Sequence, residues 1–302
     1  MTPGPPARIA FLGFGLIAGS IARALAAGRS GGSSPVLVGW SPSNAGPDAA
    51  VRDGVLAAAA AEPVEALEGA DLVVIGAPPL ETIAQIEALA GPLRGALVPD
   101  VVVTDVASTK SAIVAAADRA GLRFVGGHPM AGREAAGYAS SLPDLFAGRP
   151  WVLVPGAAAD EAAVGRVAWV AAACGARAVR MDAGEHDAAT AAISHLPLVI
   201  AASLVEAVAG ADVERPGWTA ASALAASGWR DMTRLARGDV RMGAGIAATN
   251  PAALAGRLRD LRDVLDAWIG DLERAGGPDP GRLERRLRAV RDRLERAPAD
   301  GA

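Results

Sequence analysis

From residue 9 to residue 181 short, branched apolar runs alternate with alanine-rich stretches of helical period. The runs fall at 9–12, 36–38, 72–75, 101–103, 124–125, 151–154 and 178–181, and the helical stretches at 16–27, 80–90, 111–120 and 161–174. Strands that alternate with helices need crossover connections, and these make the sheet mostly parallel. The last two runs either extend that sheet or pair antiparallel at its edge, and pattern does not choose between them. Past Met181 the strand signal fades. Residues 183–208 read as one long helix with Pro197 inside it, which removes a backbone hydrogen bond and bends the helix. Residues 219–226, 254–275 and 281–296 read as further helices, and 297–302 as a disordered tail.

The first run leads straight into Gly13-Phe14-Gly15-Leu16-Ile17-Ala18. A strand, a glycine turn and a helix in this order form the dinucleotide fingerprint, with alanine as an accepted third member. Gly13 allows the tight turn, Gly15 lets a pyrophosphate approach the backbone, and Ala18 keeps helix and strand close. The bare N–H groups and positive end of the helix face the phosphates. The expected fold is α/β: an N-terminal Rossmann-type, mostly parallel domain over residues 1–182, then an all-α domain over 183–302. Gly13, Gly15, Leu16, Ile17 and Ala18 are the expected cofactor contacts, with Ser41 after the second run and Ala77 and Pro78 after the third. The fingerprint calls for an acid at the end of the second strand to grip the ribose. The segment Val38-Gly39-Trp40-Ser41-Pro42-Ser43 has none. Nothing there repels a 2′-phosphate, and Ser41, Ser43 and Asn44 offer donors to one. NAD or NADP is therefore the expected cofactor, with NADP at least tolerated.

Bulk properties narrow the partners. Twenty-nine Lys and Arg against 33 Asp and Glu give a net charge of −4, which argues against a nucleic-acid surface. The late arginines alternate with acids (Arg257, Arg259, Asp260, Arg262, Asp263) as on a solvated helix face. Cys174 is the single cysteine, so no intramolecular disulfide forms, which suits a reducing, cytoplasmic setting. The apolar stretch 8–26 contains Gly13, Gly15, Gly19 and Arg23, unlike an export signal. Residues 191–211 approach bilayer length but include His195, Pro197 and Glu206, all costly in lipid. A buried interface helix is the expected reading, and no membrane or metal is expected.

Polar clusters stand at the ends of the apolar runs. Thr104-Asp105-Val106-Ala107-Ser108-Thr109-Lys110 follows one, and it carries the chain's only lysine. Val125-Gly126-Gly127-His128-Pro129-Met130 follows the next and reads as a rigid glycine-rich turn that presents an imidazole. Ligands of open parallel sheets bind outside the carboxyl ends of strands, which is where both clusters belong. In the helical region stand Ser194-His195-Leu196-Pro197 and Arg230-Asp231-Met232-Thr233-Arg234. Taken singly, Ser194 and His195 also fit a helix-packing pair, and Arg230 and Arg234 also fit surface charges one turn apart.

Together these segments resemble the prephenate/arogenate dehydrogenase family of tyrosine biosynthesis. The likeness runs through Gly-Phe-Gly-Leu-Ile-Ala-Gly-Ser at 13–20, Thr-Asp-Val-Ala-Ser-Thr-Lys at 104–110 and Gly-Gly-His-Pro-Met-Ala-Gly at 126–132. It continues through Asp144-Leu145-Phe146, Glu185-His186-Asp187, Ser194-His195-Leu196-Pro197 and the Arg230–Arg234 segment, with Asn250 beyond. The resemblance implies oxidative decarboxylation: prephenate would give 4-hydroxyphenylpyruvate, and arogenate would give tyrosine. It implies that His128 accepts the ring hydroxyl proton, that Ser108 bonds the same hydroxyl or orients His128, and that Lys110 adds positive charge nearby. Arg234 would bind a substrate carboxylate, and Ser194 and His195 would contact substrate or nicotinamide across the cleft. His186 is read as structural, capping or pairing with Asp187. Neutral imidazole is required, so activity is expected to fall as pH drops through about 6.5. The helical half is expected to form a homodimer. Three positions depart from the family: Leu198 where many members carry a histidine, Gly243 where an aromatic residue is common, and Ser41 in place of the acid. The competing readings are a 3-hydroxyacid or imine-type dehydrogenase of the same fold and a dinucleotide sensor without chemistry.

Overall fold

The structure, a computed structural model, describes residues 4–28, 34–133, 135–211 and 213–296; the expected disordered tail at 297–302 lies outside them. In chain order the elements begin β1 (Arg8–Leu12), α1 (Leu16–Ala27), β2 (Val36–Trp40), α2 (Ala45–Arg52), β3 (Ala58–Ala59) and α3 (Pro63–Leu67). Then come β4 (Leu72–Ile75), α4 (Pro79–Ala90), β5 (Val102–Asp105), α5 (Ser111–Arg119), β6 (Phe124–Pro129), β7 (Pro150–Pro155), α6 (Glu161–Ala173) and β8 (Arg177–Arg180). The helical part holds α7 (Ala183–Thr190), α8 (Leu196–Val208), α9 (Trp218–Ala223), α10 (Ser227–Thr233), α11 (Val240–Thr249), α12 (Pro251–Leu272) and α13 (Pro280–Glu295).

Among the described residues one eight-stranded sheet runs in the order β3-β2-β1-β4-β5-β6-β7-β8. Successive side chains of a strand point to opposite faces, so an unbroken apolar run implies cover on both sides. Ile9 and Phe11 of β1 join one core with Ile21 and Leu25 of α1 and Val167 and Val170 of α6. Ala10 and Leu12 join the other with Leu67 of α3, Ile86 and Leu89 of α4 and Ile113 of α5. From β1 the chain winds outward through β2 and β3, then returns to β4 on the other flank of β1. The carboxyl ends of β1 and β4 therefore border the crevice where such sheets take ligands.

The edge alternative resolves as antiparallel: β7 pairs antiparallel with β6, and β8 runs parallel to β7. This pairing corrects the reading of 126–129 as a turn. β5 engages only Phe124 and Val125 of β6, while β7 takes Gly126 through Pro129 into the ladder, His128 opposite Val152. Gly127 is needed there for proximity: a Cβ on it would sit 2.5 Å from the Asp105 carbonyl oxygen.

Pro197 does not break its helix. Residues 183–208 form one continuous helix with a π-turn at Ala191–His195 just before the proline. The wider turn absorbs the missing donor and the ring's clash with the preceding carbonyls, and such turns recur at functional sites.

The chain forms two compact units, Met1–Leu254 and Ala255–Ala302. Helices α7 to α11 thus belong to the same unit as the sheet. In the second unit α13 is tied to α12 by Asp271, which accepts hydrogen bonds from Arg282 and Arg286. The Arg286 guanidinium also lies 4.1 Å from the centre of the Trp268 ring.

Candidate active site

The glycine turn between β1 and α1 has the geometry a dinucleotide needs. Gly13 has φ 87°, and a Cβ on it would lie 2.7 Å from the Gly76 carbonyl oxygen. Gly76 is equally constrained, since its own Cβ would meet the Gly13 oxygen at 2.5 Å and the Ala18 methyl at 2.8 Å. A Cβ on Gly15 would meet nothing within 4 Å, so that face of the turn is open. No side chain caps α1, which leaves its first N–H groups for an anion. A groove of about 560 Å³ opens here, bordered by Gly15, Leu16, Ile17, Ala77, Pro78 and Val106. Arg133 and Arg237 stand on its rim. These residues fit NAD or NADP: the turn gives backbone access to a pyrophosphate, and the rim supplies positive charge. Gly13 and Ala18 shape the turn from inside, whereas Gly15, Leu16, Ile17, Ala77 and Pro78 face the groove.

Ser41 follows β2 as expected. Asn44 is less available to a phosphate than the sequence suggests. It takes a left-handed φ of 50°, accepts from the Ser41 N–H at 2.9 Å and donates to the Ala60 carbonyl at 2.7 Å. Its amide closes the loop on itself.

Beyond β5 and β6 lies a continuous polar network. His128 Nδ1 is 2.8 Å from His186 Nε2, and His186 Nδ1 is 2.9 Å from Asp187 Oδ1. The Asp187 carboxylate accepts the backbone N–H of Lys110 and of Ser111, each at 2.8 Å. Asp182 caps α7 by accepting from Gly184 and Glu185 N–H, which fixes the turn that carries both His186 and Asp187. Burial would raise the Asp187 carboxyl, but bonds from His186, Ser111 and Lys110 hold it down at about 2. Asn250 donates to the Asp187 carbonyl at 2.8 Å and stands 3.3 Å from His195 Nδ1. Thr109 and Thr249 share a 2.7 Å hydrogen bond beside them.

His128 keeps partial exposure at the carboxyl end of β6. Its pKa is pushed well below the usual histidine value, first by burial and then by His186, Lys110 and His195, with only Asp187 opposing. The imidazole is therefore neutral at physiological pH, as a base must be. An acid limb governed by this imidazole would accordingly lie below the ordinary histidine value rather than at it.

Lys110, expected to add positive charge nearby, and His195, expected as a contact across the cleft, both lie in the interior. Lys110 is fully buried, and its Nζ lies 2.5 Å from Asp105 Oδ2. Asp105 also accepts from the N–H of Ala107 at 2.9 Å and of Gly127 at 3.1 Å. The lysine thus presents no surface to a ligand and acts on the site through its charge and through Asp105. His195 is likewise fully buried, behind the cleft on Asn250. Ser194 is exposed on the π-turn, and Ser108 is half-buried after β5. Arg234 is exposed at the start of the 3₁₀ turn Arg234–Arg237, whose last residue reaches the groove rim. The two helical departures are neighbours, because a Cβ on Gly243 would lie 3.6 Å from Leu198 Cδ2.

Comparison with known proteins identifies the family. Residues 21–180 match the nucleotide-binding domain of prephenate dehydrogenase, and residues 182–276 match its dimerization domain. Prephenate dehydrogenase of Bacillus subtilis is 32% identical over 269 residues, which is 88% of this chain and 68% of that protein. The crystal structure of Synechocystis arogenate dehydrogenase superposes with a TM-score of 0.74 at 31% identity, over 95% of this chain and 99% of that one. The prephenate dehydrogenase of A. aeolicus, in complex with hydroxyphenyl propionate and NAD+, gives 0.78 at 25% identity, over 95% and 97%.

Proposed function

We propose a function on the premise that the chain belongs to the prephenate dehydrogenase family. It is an NAD(P)-dependent dehydrogenase acting on prephenate or arogenate. The dinucleotide, held by Gly15, Leu16, Ile17, Ala77 and Pro78, supplies the hydride acceptor. His128 takes the proton of the substrate's 4-hydroxyl. Carbon dioxide leaves the ring, which becomes aromatic, and prephenate yields 4-hydroxyphenylpyruvate while arogenate yields tyrosine. Aromatisation supplies much of the driving force, so the protein's task is alignment and proton removal. Ser108 aligns the hydroxyl, and Arg234 binds a carboxylate through its planar fork. Lys110 and His195 support the site from inside rather than by contact.

The observation that carries this reading is the neutral His128 at the carboxyl end of β6, hydrogen-bonded through Nδ1. Residues 1–182 hold the cofactor, and 183–302 complete the substrate site and pair two copies. The helix Ala183–Val208 is long and apolar enough to cross a bilayer by length and composition, yet it carries His195 inside. Its exposed Ile193 fits burial against a second copy of this chain. Cys174 is the single cysteine, so no intramolecular disulfide forms, which suits a reducing, cytoplasmic setting. With no acid after β2, NADP is accepted alongside NAD. The test incubates purified protein with prephenate or arogenate and NAD or NADP and follows cofactor reduction. Absence of reduction in all four combinations overturns the assignment, and a large preference for NAD overturns the NADP reading.

A further inference from the structure

We propose that His186 and Asp187 are positioning residues that impose one tautomer on His128 and share the charge it acquires. This rests on His128 being the base. Asp187 is ionised and already accepts two backbone N–H groups, so it has no proton to give. The bond at 2.9 Å must therefore be donated by His186 Nδ1–H. A neutral imidazole carrying its proton on Nδ1 has a bare Nε2. That atom accepts the 2.8 Å bond, so His128 Nδ1 is the donor. The polarity of the chain leaves His128 Nε2 without a proton, ready to accept one. With the opposite polarity, neutral His128 would carry its proton on Nε2 and could not act there as a base.

Proton balance follows the same line. When the substrate hydroxyl proton arrives on His128 Nε2, the Nδ1 proton shifts toward His186 Nε2. The His186 Nδ1–H bond to Asp187 then strengthens. No proton leaves the network, and the new positive charge spreads over two rings beside a carboxylate. Release of the Nε2 proton to water restores the starting tautomers. The arrangement is stiff: Asn250 holds the Asp187 carbonyl, and Thr190 Oγ1 donates to the His186 carbonyl at 2.9 Å.

The chain has three histidines, so selective ¹⁵N-histidine labelling gives an assignable spectrum of the intact protein. At neutral pH the expected result is a proton on Nδ1 and a bare Nε2 for both His128 and His186. A His128 ring protonated on Nε2 overturns the proposal without any substitution. Two variants then test its consequence. His186→Leu removes both bonds and is expected to lower kcat about 10²-fold or more while substrate KM stays within about threefold. His186→Gln donates to Asp187 and accepts from His128, so it keeps the polarity but cannot carry a proton; it should recover about tenfold of that loss. Wild-type kcat in His186→Leu overturns the relay. His128→Asn separates the two readings. If it keeps wild-type turnover, the base assignment itself fails; if it is inactive while His186→Leu is not, only the relay fails.

Discussion

Replacing Lys110 with methionine tests the buried charge pair and the base together. Lys110 and Asp105 have no exposed side-chain surface, and their charges are 2.5 Å apart. Burial alone lowers the lysine's pKa, and the carboxylate opposes that shift. Removing one member of such a pair strands the other charge and costs about 3–5 kcal/mol. Asp105 keeps its bonds from Ala107 and Gly127 N–H, which places the loss near the lower end, about 3 kcal/mol. At about 2–4 °C per kcal/mol for a chain of this size, Tm should fall by about 6–12 °C. A second effect has its own sign. The Lys110 charge helps to depress the His128 pKa, so its loss lets that pKa rise. The acid limb of the kcat profile then moves to higher pH. Thermal unfolding by circular dichroism and a pH series of turnover read the two effects separately. The control is Lys110→Met with Asp105→Asn, which removes the stranded charge and should regain part of the Tm. An unchanged Tm, a double variant no better than the single one, or an acid limb displaced to lower pH would each refute the reasoning.

His128 and His195 are both held below their ordinary pKa, mainly by burial. Below about pH 6.5 the unfolded chain binds protons that the folded chain does not, so stability is full above that value and declines as pH falls through it. Urea unfolding between pH 8 and 5 checks this, and stability that rises on acidification contradicts it. Turnover should hold through pH 6.5 and break only lower; a limb centred at 6.5 or above rules out a depressed base. Gly76→Ala pushes a methyl against the Gly13 oxygen and the Ala18 methyl, neither of which can turn away. It should cost about 1–3 kcal/mol and raise the cofactor KM, and an unchanged melting curve and KM would show that the turn has slack. Arg234→Ala should raise the substrate KM with little change in kcat, since it removes ground-state carboxylate binding. A loss confined to kcat would assign Arg234 a different role.

The fold was legible where physics leaves a periodic trace. Branched apolar runs marked the long strands because each is buried on both faces. β3 left no such trace: it is two alanines, a strand only because β2 offers Val38 and Gly39 as partners. The segment 126–129 misled for a different reason. Glycine usually marks a turn, but Gly127 is required by the closeness of the Asp105 carbonyl, a tertiary fact. At the site, His128 and Lys110 stood out by rarity, whereas their partners did not. Asp105 lies in the 104–110 segment and Asp187 in Glu185-His186-Asp187, yet nothing local says that Asp105 faces Lys110. His186 lies 58 residues from His128, and only the docking of α7 against the start of α5 brings the rings together.

That docking explains why one carboxylate has so many partners. Asp187 comes from the helical region, but its oxygens bind the N–H groups of Lys110 and Ser111, where α5 begins after the sheet. Asn250, from the end of α11, locks the Asp187 carbonyl, and Thr249 bonds Thr109 on the same loop. The contacts that fix the base's tautomer are thus the contacts that seat the helices on the sheet. Ionised Asp187 is stable in its buried place only while those backbone donors are present, and they are present only when the helices are seated. The same hydrogen bonds therefore serve both the seating of the helices and the proposed orientation of His128.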